Sequence, residues 1–295
     1  VTRNKTRGQM VPTIDIPYDL RKTINNRRSA RSFKSDPLKP ETMARLLEFS
    51  KTLRLPFDCA TKIRFFKAEP TKELYRTFKA PIDNVAFLSE TDIISIAKTG
   101  FVGELVILLA ESLGVSTCWY GHYKLPELER LMPHLQNTSQ IKEAPRGYGY
   151  SKGVTDGLRA ICISPLGYYE PNGFRLMDRI TKNAYSFKRK EIQDLLENNE
   201  DQNSLSDDLI YALDLARKAP SATNSQMWRF GFLNNYRTIT VSMPARYRHF
   251  KWEHPNVDIG ICASHIWLAL TERGFAPTIE VHEESGRAVF KIMKD

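Results

Sequence analysis

The chain has 295 residues, of which 41% are hydrophobic and 26% charged, and it carries a formal net charge of +9. That balance excludes a disordered polypeptide and supports a filled core in one large or two modest domains, while the positive charge favours anionic partners. The longest apolar run, Leu105 to Ala110, is closed by Glu104 and Glu111 and falls far short of the roughly 20 residues needed to cross a bilayer, so no membrane partner is expected.

No basic-then-apolar leader opens the sequence, which makes the cytoplasm the expected address. Cys59, Cys118, Cys162 and Cys262 are widely spaced and form no C-x-x-C pair, so buried thiols are expected instead of a disulfide framework. Cys118 with His122 and Cys262 with His265 each supply only half the ligands of a structural zinc site, and no metal is predicted. Lys and Arg are distributed along the chain instead of gathered in one arm. A small phosphate-bearing molecule satisfies such a charge as well as nucleic acid does.

In chain order, residues 1–18 mix basic, Gly and Pro residues without periodicity and read as an arm. A short segment with Leu20 and Ile24 leads into Arg27-Arg28-Ser29-Ala30-Arg31-Ser32-Phe33. Pro40 suits a first helical position, and Met43, Leu46, Leu47 and Leu53 give the following helix one apolar face. Lys62 to Lys67 is a strand. Ile93 to Leu113 is the longest helix, ended by Gly114. Val115 to Gly121 is strand-like, Pro126 to Met132 a short helix, and Gln136 to Gly157 a surface excursion or lid. Leu158 to Ser164 is a core strand, and a Gly/Pro/Tyr-rich connection runs from Pro165 to about Phe187.

Arg189-Lys190-Glu191-Ile192 is then expected to open a helix. The helix carrying Leu209, Ile210, Leu213 and Ala216 follows, with Ser206 as N-cap and Pro220 as its stop. Trp228, Phe230 and Phe232 alternate with Arg229 and Gly231 as a half-buried strand does. Arg237 to Met243 is another strand, Asp258 to Arg273 a helix capped by Gly274, and Pro277 to His282 and Arg287 to Ile292 are terminal strands. Helix, strand, long helix ending in Gly, then strand occurs twice. Asp258-Ile259-Gly260 to Gly274-Phe275-Ala276 mirrors Phe101-Val102-Gly103 to Gly114-Val115-Ser116. Two joined copies can make within one chain the isologous interface of a dimer.

Three stretches carry chemistry. Ala219-Pro220-Ser221-Ala222-Thr223-Asn224-Ser225-Gln226-Met227-Trp228 offers hydroxyls and amides between two rigid elements, suited to a flat polar ligand, although an ordinary αβ connection reads the same way. Arg27-Arg28-Ser29-x-Arg31 presents guanidinium forks and a hydroxyl that match a phosphate. Leu113-Gly114-Val115-Ser116-Thr117-Cys118-Trp119-Tyr120-Gly121 leads a helix into a strand and ends on a glycine that admits close approach.

Together these resemble the FMN-dependent nitroreductases, from about Arg27 to the end of the chain. The resemblance implies an α+β nitroreductase-like fold of two homologous halves fused into a pseudo-dimer, with 1–18 as the arm, 19–186 as the first half and 187–295 as the second. It implies that Arg27, Arg28 and Ser29 hold the FMN phosphate and ribityl chain and that Arg31 faces the pyrimidine edge. It also implies that the backbone of Tyr120 and Gly121 approaches flavin N5; Trp119, Tyr120 and the Tyr148/Tyr150 segment are the candidate aromatics to stack on the ring, although their positions suit core or lid residues at least as well. Arg189 adds a phosphate contact, and Pro220, Ser221, Ala222, Asn224 and Gln226 pack beside the ring. No obligatory catalytic acid or base is implied.

The chain departs from an ordinary subunit in two places. Phe49 to Cys59 stands where the first half would carry an Ala-Pro-Ser loop, and the second half lacks Arg-x-Ser-x-Arg. One complete flavin site is therefore expected, its mirror site dead, in a monomer resembling the fused branch of the family. The implied activity is hydride transfer from NADH or NADPH through FMN to a nitroaromatic, quinone or similar small acceptor. A flavin-binding protein without turnover would share every motif. A polyanion or nucleic-acid-binding module would use the charge alone, but no stacking platform or groove-reading helix is visible.

Overall fold

In a computed structural model of the chain, residues 15–133, 158–171, 188–198, 200–244 and 255–294 are described. Most of the expected arm, the excursion at 136–157 and most of the connection before Phe187 lie outside them. Two four-stranded antiparallel sheets carry the fold. The first orders β1 (Lys62–Lys67), β2 (Asp83–Ser89), β4 (Arg159–Gly167) and β3 (Ser116–Thr117) as β1-β2-β4-β3. The second orders β5 (Arg229–Leu233), β6 (Thr238–Ser242), β8 (Arg287–Met293) and β7 (Thr278–Glu284) as β5-β6-β8-β7. Each strand of the second sheet thus occupies the place of the strand four earlier in the first.

The helices are α1 (Leu20–Asn26), α2 (Pro40–Thr52), α3 (Ile93–Ser112), α4 (Leu125–Leu131), α5 (Asp207–Ala216) and α6 (Pro255–Glu272). Asp19 caps α1 by accepting from Lys22 N at 2.8 Å, and Asp92 caps α3 by accepting from Ser95 N at 2.9 Å. Gly114 and Gly274, at φ 74° and 88°, end α3 and α6 in the left-handed conformation that glycine adopts without a Cβ penalty. The unit α2-β1-β2-α3-β3 is repeated by α5-β5-β6-α6-β7.

The two long helices cross at the centre of the core. A Cβ on Gly100 would lie 2.0 Å from Val257 O, and one on Gly260 would lie 1.8 Å from Ala97 O. These contacts are reciprocal: Gly100 precedes Gly114 by the same interval that Gly260 precedes Gly274, and Ala97 and Val257 hold equivalent places. The expected pairing of Gly260 with Gly103 is therefore shifted by one helical turn. Gly103 faces Trp119 instead, whose ring lies 2.4 Å from where its Cβ would be. An 18-residue window of α3 has mean hydropathy 1.9, enough by length and composition to cross a membrane, but 78% of it is buried against the rest of the chain.

Strand β2 went unrecognised in the sequence because every residue of it is buried, so no polar alternation marks it. Val85 and Phe87 enter the main core with α3 and α6, whereas Ala86 and Leu88 enter a second cluster with Leu74, Tyr75, Phe78 and Tyr123 on the sheet's other face. Three further expectations change. Leu47 is exposed although Leu46 is fully buried. Val115 to Gly121 pairs continuously only over Ser116–Thr117, then touches β4 again at Tyr120. Arg189 to Ile192 opens no α-helix: Lys188 to Lys190 is tied by hydrogen bonds to the loop described below, leaving a single turn at Gln193–Leu195 before Leu196 bridges to Phe230.

Candidate functional site

The arginine-rich turn follows α1 directly. Arg27 closes the helix by donating its N–H to Thr23 O at 3.0 Å, and Ala30 N donates to Thr117 O at 2.8 Å, docking the turn on the edge of β3. Arg27 is only 5% exposed, yet its Nη1 has no partner among the described residues; the Oγ1 of Thr117, the residue that bridges to Ser29, is buried and has none either. Arg28, exposed, donates Nη1 to Asn25 O at 2.6 Å, and Arg31 is exposed. Burial pushes the Cys118 thiol up, while Arg31, Arg27 and a hydrogen bond with Ser29 pull it the other way, which places Ser29 and both arginines around that cysteine.

The loop after α5 is tied down from several directions. Thr223, Asn224 and Gln226 adopt left-handed backbone at φ 54°, 56° and 47°, conformations that cost energy outside glycine and persist only where surroundings enforce them. Here they do. Gln226 N donates to Ser221 Oγ at 3.0 Å, and Ala222 N donates to the buried Asp258 Oδ2 at 2.9 Å. Gln226 Oε1 accepts from Lys190 N at 2.7 Å, its Nε2 donates to Lys188 O at 3.0 Å, and Asn224 Nδ2 donates to Lys188 O at 3.2 Å. Pro220 is buried at the start of the loop. The amides of Asn224 and Gln226 are thus engaged with the strap at Lys188 to Lys190.

That strap places Arg189. Its Nη1 donates to Ala219 O at 2.9 Å and to Asn224 Oδ1 at 2.8 Å. Its pKa is pushed down to about 10, first by burial, then by the charges of Arg27 and Arg28, with Glu104 acting in the opposite sense. The turn after α1 and the strap held by the loop after α5 thus bring three guanidinium groups within electrostatic reach of one another. Glu111 faces the same cluster, its carboxyl raised by burial and lowered by Arg27 and Arg28. A partly buried cation cluster with an orphaned Nη1 and an orphaned hydroxyl has the donors that an anion with several acceptor oxygens requires.

The 119–121 segment divides its roles. Trp119 turns inward: its Nε1 donates to Glu104 Oε2 at 2.7 Å and its ring packs 4.9 Å from Phe87, so its aromatic face is spent on the core. Tyr120 N donates to Ile163 O at 2.9 Å, which commits the amide expected near flavin N5 to the sheet. Its ring packs against Tyr75 and Phe78. Half-buried Gly121 is left as the backbone that can approach a ring closely.

Comparison with protein families matches residues 19–270 to the family model described as "Putative TM nitroreductase". The chain belongs to the nitroreductase family. A crystal structure from Thermotoga maritima, described as a putative nitroreductase, is similar over 97% of this chain and 99% of its own, at 18% identity and a TM-score of 0.59. A nitroreductase family protein from Clostridium difficile covers 61% of this chain and 97% of its own at 12% identity and a TM-score of 0.40. A putative nitroreductase in complex with FMN from Desulfovibrio desulfuricans covers 64% and 99% at 13% identity and a TM-score of 0.39. No curated protein matches.

In this nitroreductase-family chain the sequence left three residues at the site unassigned. Asp258 and Glu104 are acids set among the apolar residues of the two long helices, a signal that was present but unused, and Thr117 carries no pattern at all. His265, paired in the sequence with Cys262, instead meets Glu104 across the helix crossing, while Cys262 Sγ faces Ala216 O at 3.7 Å.

Proposed function

We propose that this chain is an FMN-dependent oxidoreductase that passes hydride from NADH or NADPH to a small acceptor such as a nitroaromatic or quinone. The observation carrying this reading is the cation cluster, in which Arg27 Nη1 lies buried and unpartnered beside Arg189, whose charge is disfavoured by burial and by its neighbours. A phosphate monoester fits that set, since it accepts hydrogen bonds from several donors and relieves the repulsion among the arginines.

When bound, FMN would supply the ring that accepts and donates hydride. The chain's own residues then have distinct tasks. Arg27 and Arg189 bind the phosphate, with Ser29 and Thr117 as hydroxyl partners to the phosphate and ribityl chain. Arg31, exposed at the end of the turn, places positive charge by the ring's electron-accepting edge, where it favours the reduced anion. Gly121 lets the ring sit close to the backbone. Asn224 and Gln226 act through the strap that aims Arg189, and Ser221, Ala222 and Pro220 shape the wall that carries them. No side chain is assigned as an obligatory proton donor.

Anaerobic titration tests the reading. Purified protein loaded with FMN should lose its yellow absorbance on addition of NADH or NADPH and regain it with a quinone or nitroaromatic. Yellow protein that NAD(P)H leaves unbleached would point to a flavin carrier, and colourless protein with salt-dependent DNA affinity to a polyanion binder. Exchanging Arg27→Ala and Ser29→Ala together should weaken FMN far more than riboflavin, and equal losses would remove the phosphate assignment.

A further inference from the structure

The crossing of α3 and α6 contains a buried hydrogen-bonded chain that joins the two segments on which the proposed site is built. Glu104 and His265 are both fully buried, with Glu104 Oε1 3.0 Å from His265 Nε2. Glu104 Oε2 accepts from Trp119 Nε1 at 2.7 Å. On the other side, His265 Nδ1 lies 2.9 Å from Leu215 O. A carbonyl only accepts, so Nδ1 carries a proton, and Nε2 and Oε1 share one more proton between them. The chain of bonds therefore runs without a gap from Trp119, two residues before Gly121, to Leu215, four residues before Ala219, whose carbonyl holds Arg189.

The repeat tells whether such a chain is merely what this fold requires. At the place in α6 equivalent to Glu104 stands Ser264, whose hydroxyl bonds Ile261 O within its own helix at 2.8 Å, and at the place in α3 equivalent to His265 stands Leu105. The acid–imidazole link exists once, on the side where the arginine turn and the 219–226 loop belong. The opposite side packs without it.

We propose that Glu104 and His265 are positioning residues: they hold the 119–121 backbone of one half in register with the Arg189-bearing loop of the other, so that a single flavin meets both. This rests on the reading of the site as a flavin site. A role confined to core stability would lower the melting point without altering how the folded protein binds flavin. A positioning role changes the binding itself.

Substitutions separate the two. Glu104→Gln keeps every bond, since its amide NH2 can donate to a neutral Nε2 while its oxygen still accepts from Trp119. Glu104→Leu keeps the volume and breaks the chain on both sides, leaving the Trp119 N–H and the imidazole unpaired. Trp119→Phe removes one donor and serves if the leucine variant fails to fold. Affinity for FMN is measured by fluorescence quenching on folded protein, alongside amide hydrogen exchange of the flavin-free protein. Glu104→Leu and Trp119→Phe should each bind FMN about tenfold more weakly or worse, with Glu104→Gln within about threefold of the parent. Without flavin, exchange should quicken together in residues 117–121 and 216–226 of the leucine variant, or of Trp119→Phe in its place. Unchanged affinity in a folded broken-chain variant, or equal loss in Glu104→Gln, overturns the proposal. If the parent itself binds no FMN, the flavin reading fails by that result alone, and the exchange data still decide whether the chain couples the two segments.

Discussion

Arg189 holds its charge against burial and two neighbouring cations, and Asn224 is the side chain that keeps it there. Replacing Asn224 with Leu removes one of the two bonds that hold the guanidinium, leaving the one to Ala219 O, and removes the bond to Lys188 O, so FMN affinity should fall about tenfold with the chain still folded, as measured by flavin fluorescence. Unaltered affinity would mean that Arg189 needs no such support. Asp258 gives a second residue-level expectation. Burial pushes its carboxyl up to about 8, the Ala222 N–H pulling the other way. The folded state binds this proton more tightly than the unfolded chain, whose carboxyl titrates near about 4. Its stabilising contribution is complete below that value and is lost as pH rises towards about 8. Asp258→Asn keeps an acceptor for Ala222 N and should flatten the fall in urea midpoint across that window; an unchanged slope would show the carboxyl is not the source. At this scale the arginines were legible, because charge clusters are local in sequence. The tasks of Asn224 and Gln226 were not, because their bonds reach back to Lys188 and Lys190, which no spacing rule connects to them.

Among the elements, the α3–α6 crossing has the narrowest tolerance. A methyl at Gly260 would meet the backbone of Ala97 instead of a flexible side chain, so Gly260→Ala should cost ~3 kcal/mol or more in urea unfolding, and Gly100→Ala a similar amount. A cost below ~1 kcal/mol for either would mean that the helices can separate freely. The region that mirrors the 219–226 loop is built differently. Lys98, equivalent to Asp258, donates Nζ to Asp58 O at 2.7 Å and lies 5.0 Å over the Phe57 ring, which packs 5.0 Å from Phe101. An ammonium gripping a carbonyl replaces a buried carboxyl group gripping an N–H, and an aromatic side chain fills the space. Long amphipathic and apolar helices could be placed from sequence because their periodicity or length is distinctive. The strap at Lys188 to Lys190 and strand β2 could not, since tertiary bonds override helix propensity in the first and two-sided burial erases alternation in the second.

Over the whole molecule, the matching strand orders and the reciprocal glycine contacts build a dimer-like body from one chain, and the family match spans most of its length. We place the division between the halves at about residue 187, in keeping with the bonds of Leu196 and Glu197 to Phe230 of the second sheet. Duplication frees one of two equivalent clefts from binding, which is how the second could lose its loop and become a packed structural face. The account stands or falls on a titration of the flavin-free full chain with FMN and with riboflavin, followed by fluorescence. One FMN per chain, with riboflavin bound far more weakly, is the predicted result. Two FMN per chain, equal affinity for both flavins, or no binding of either would contradict it.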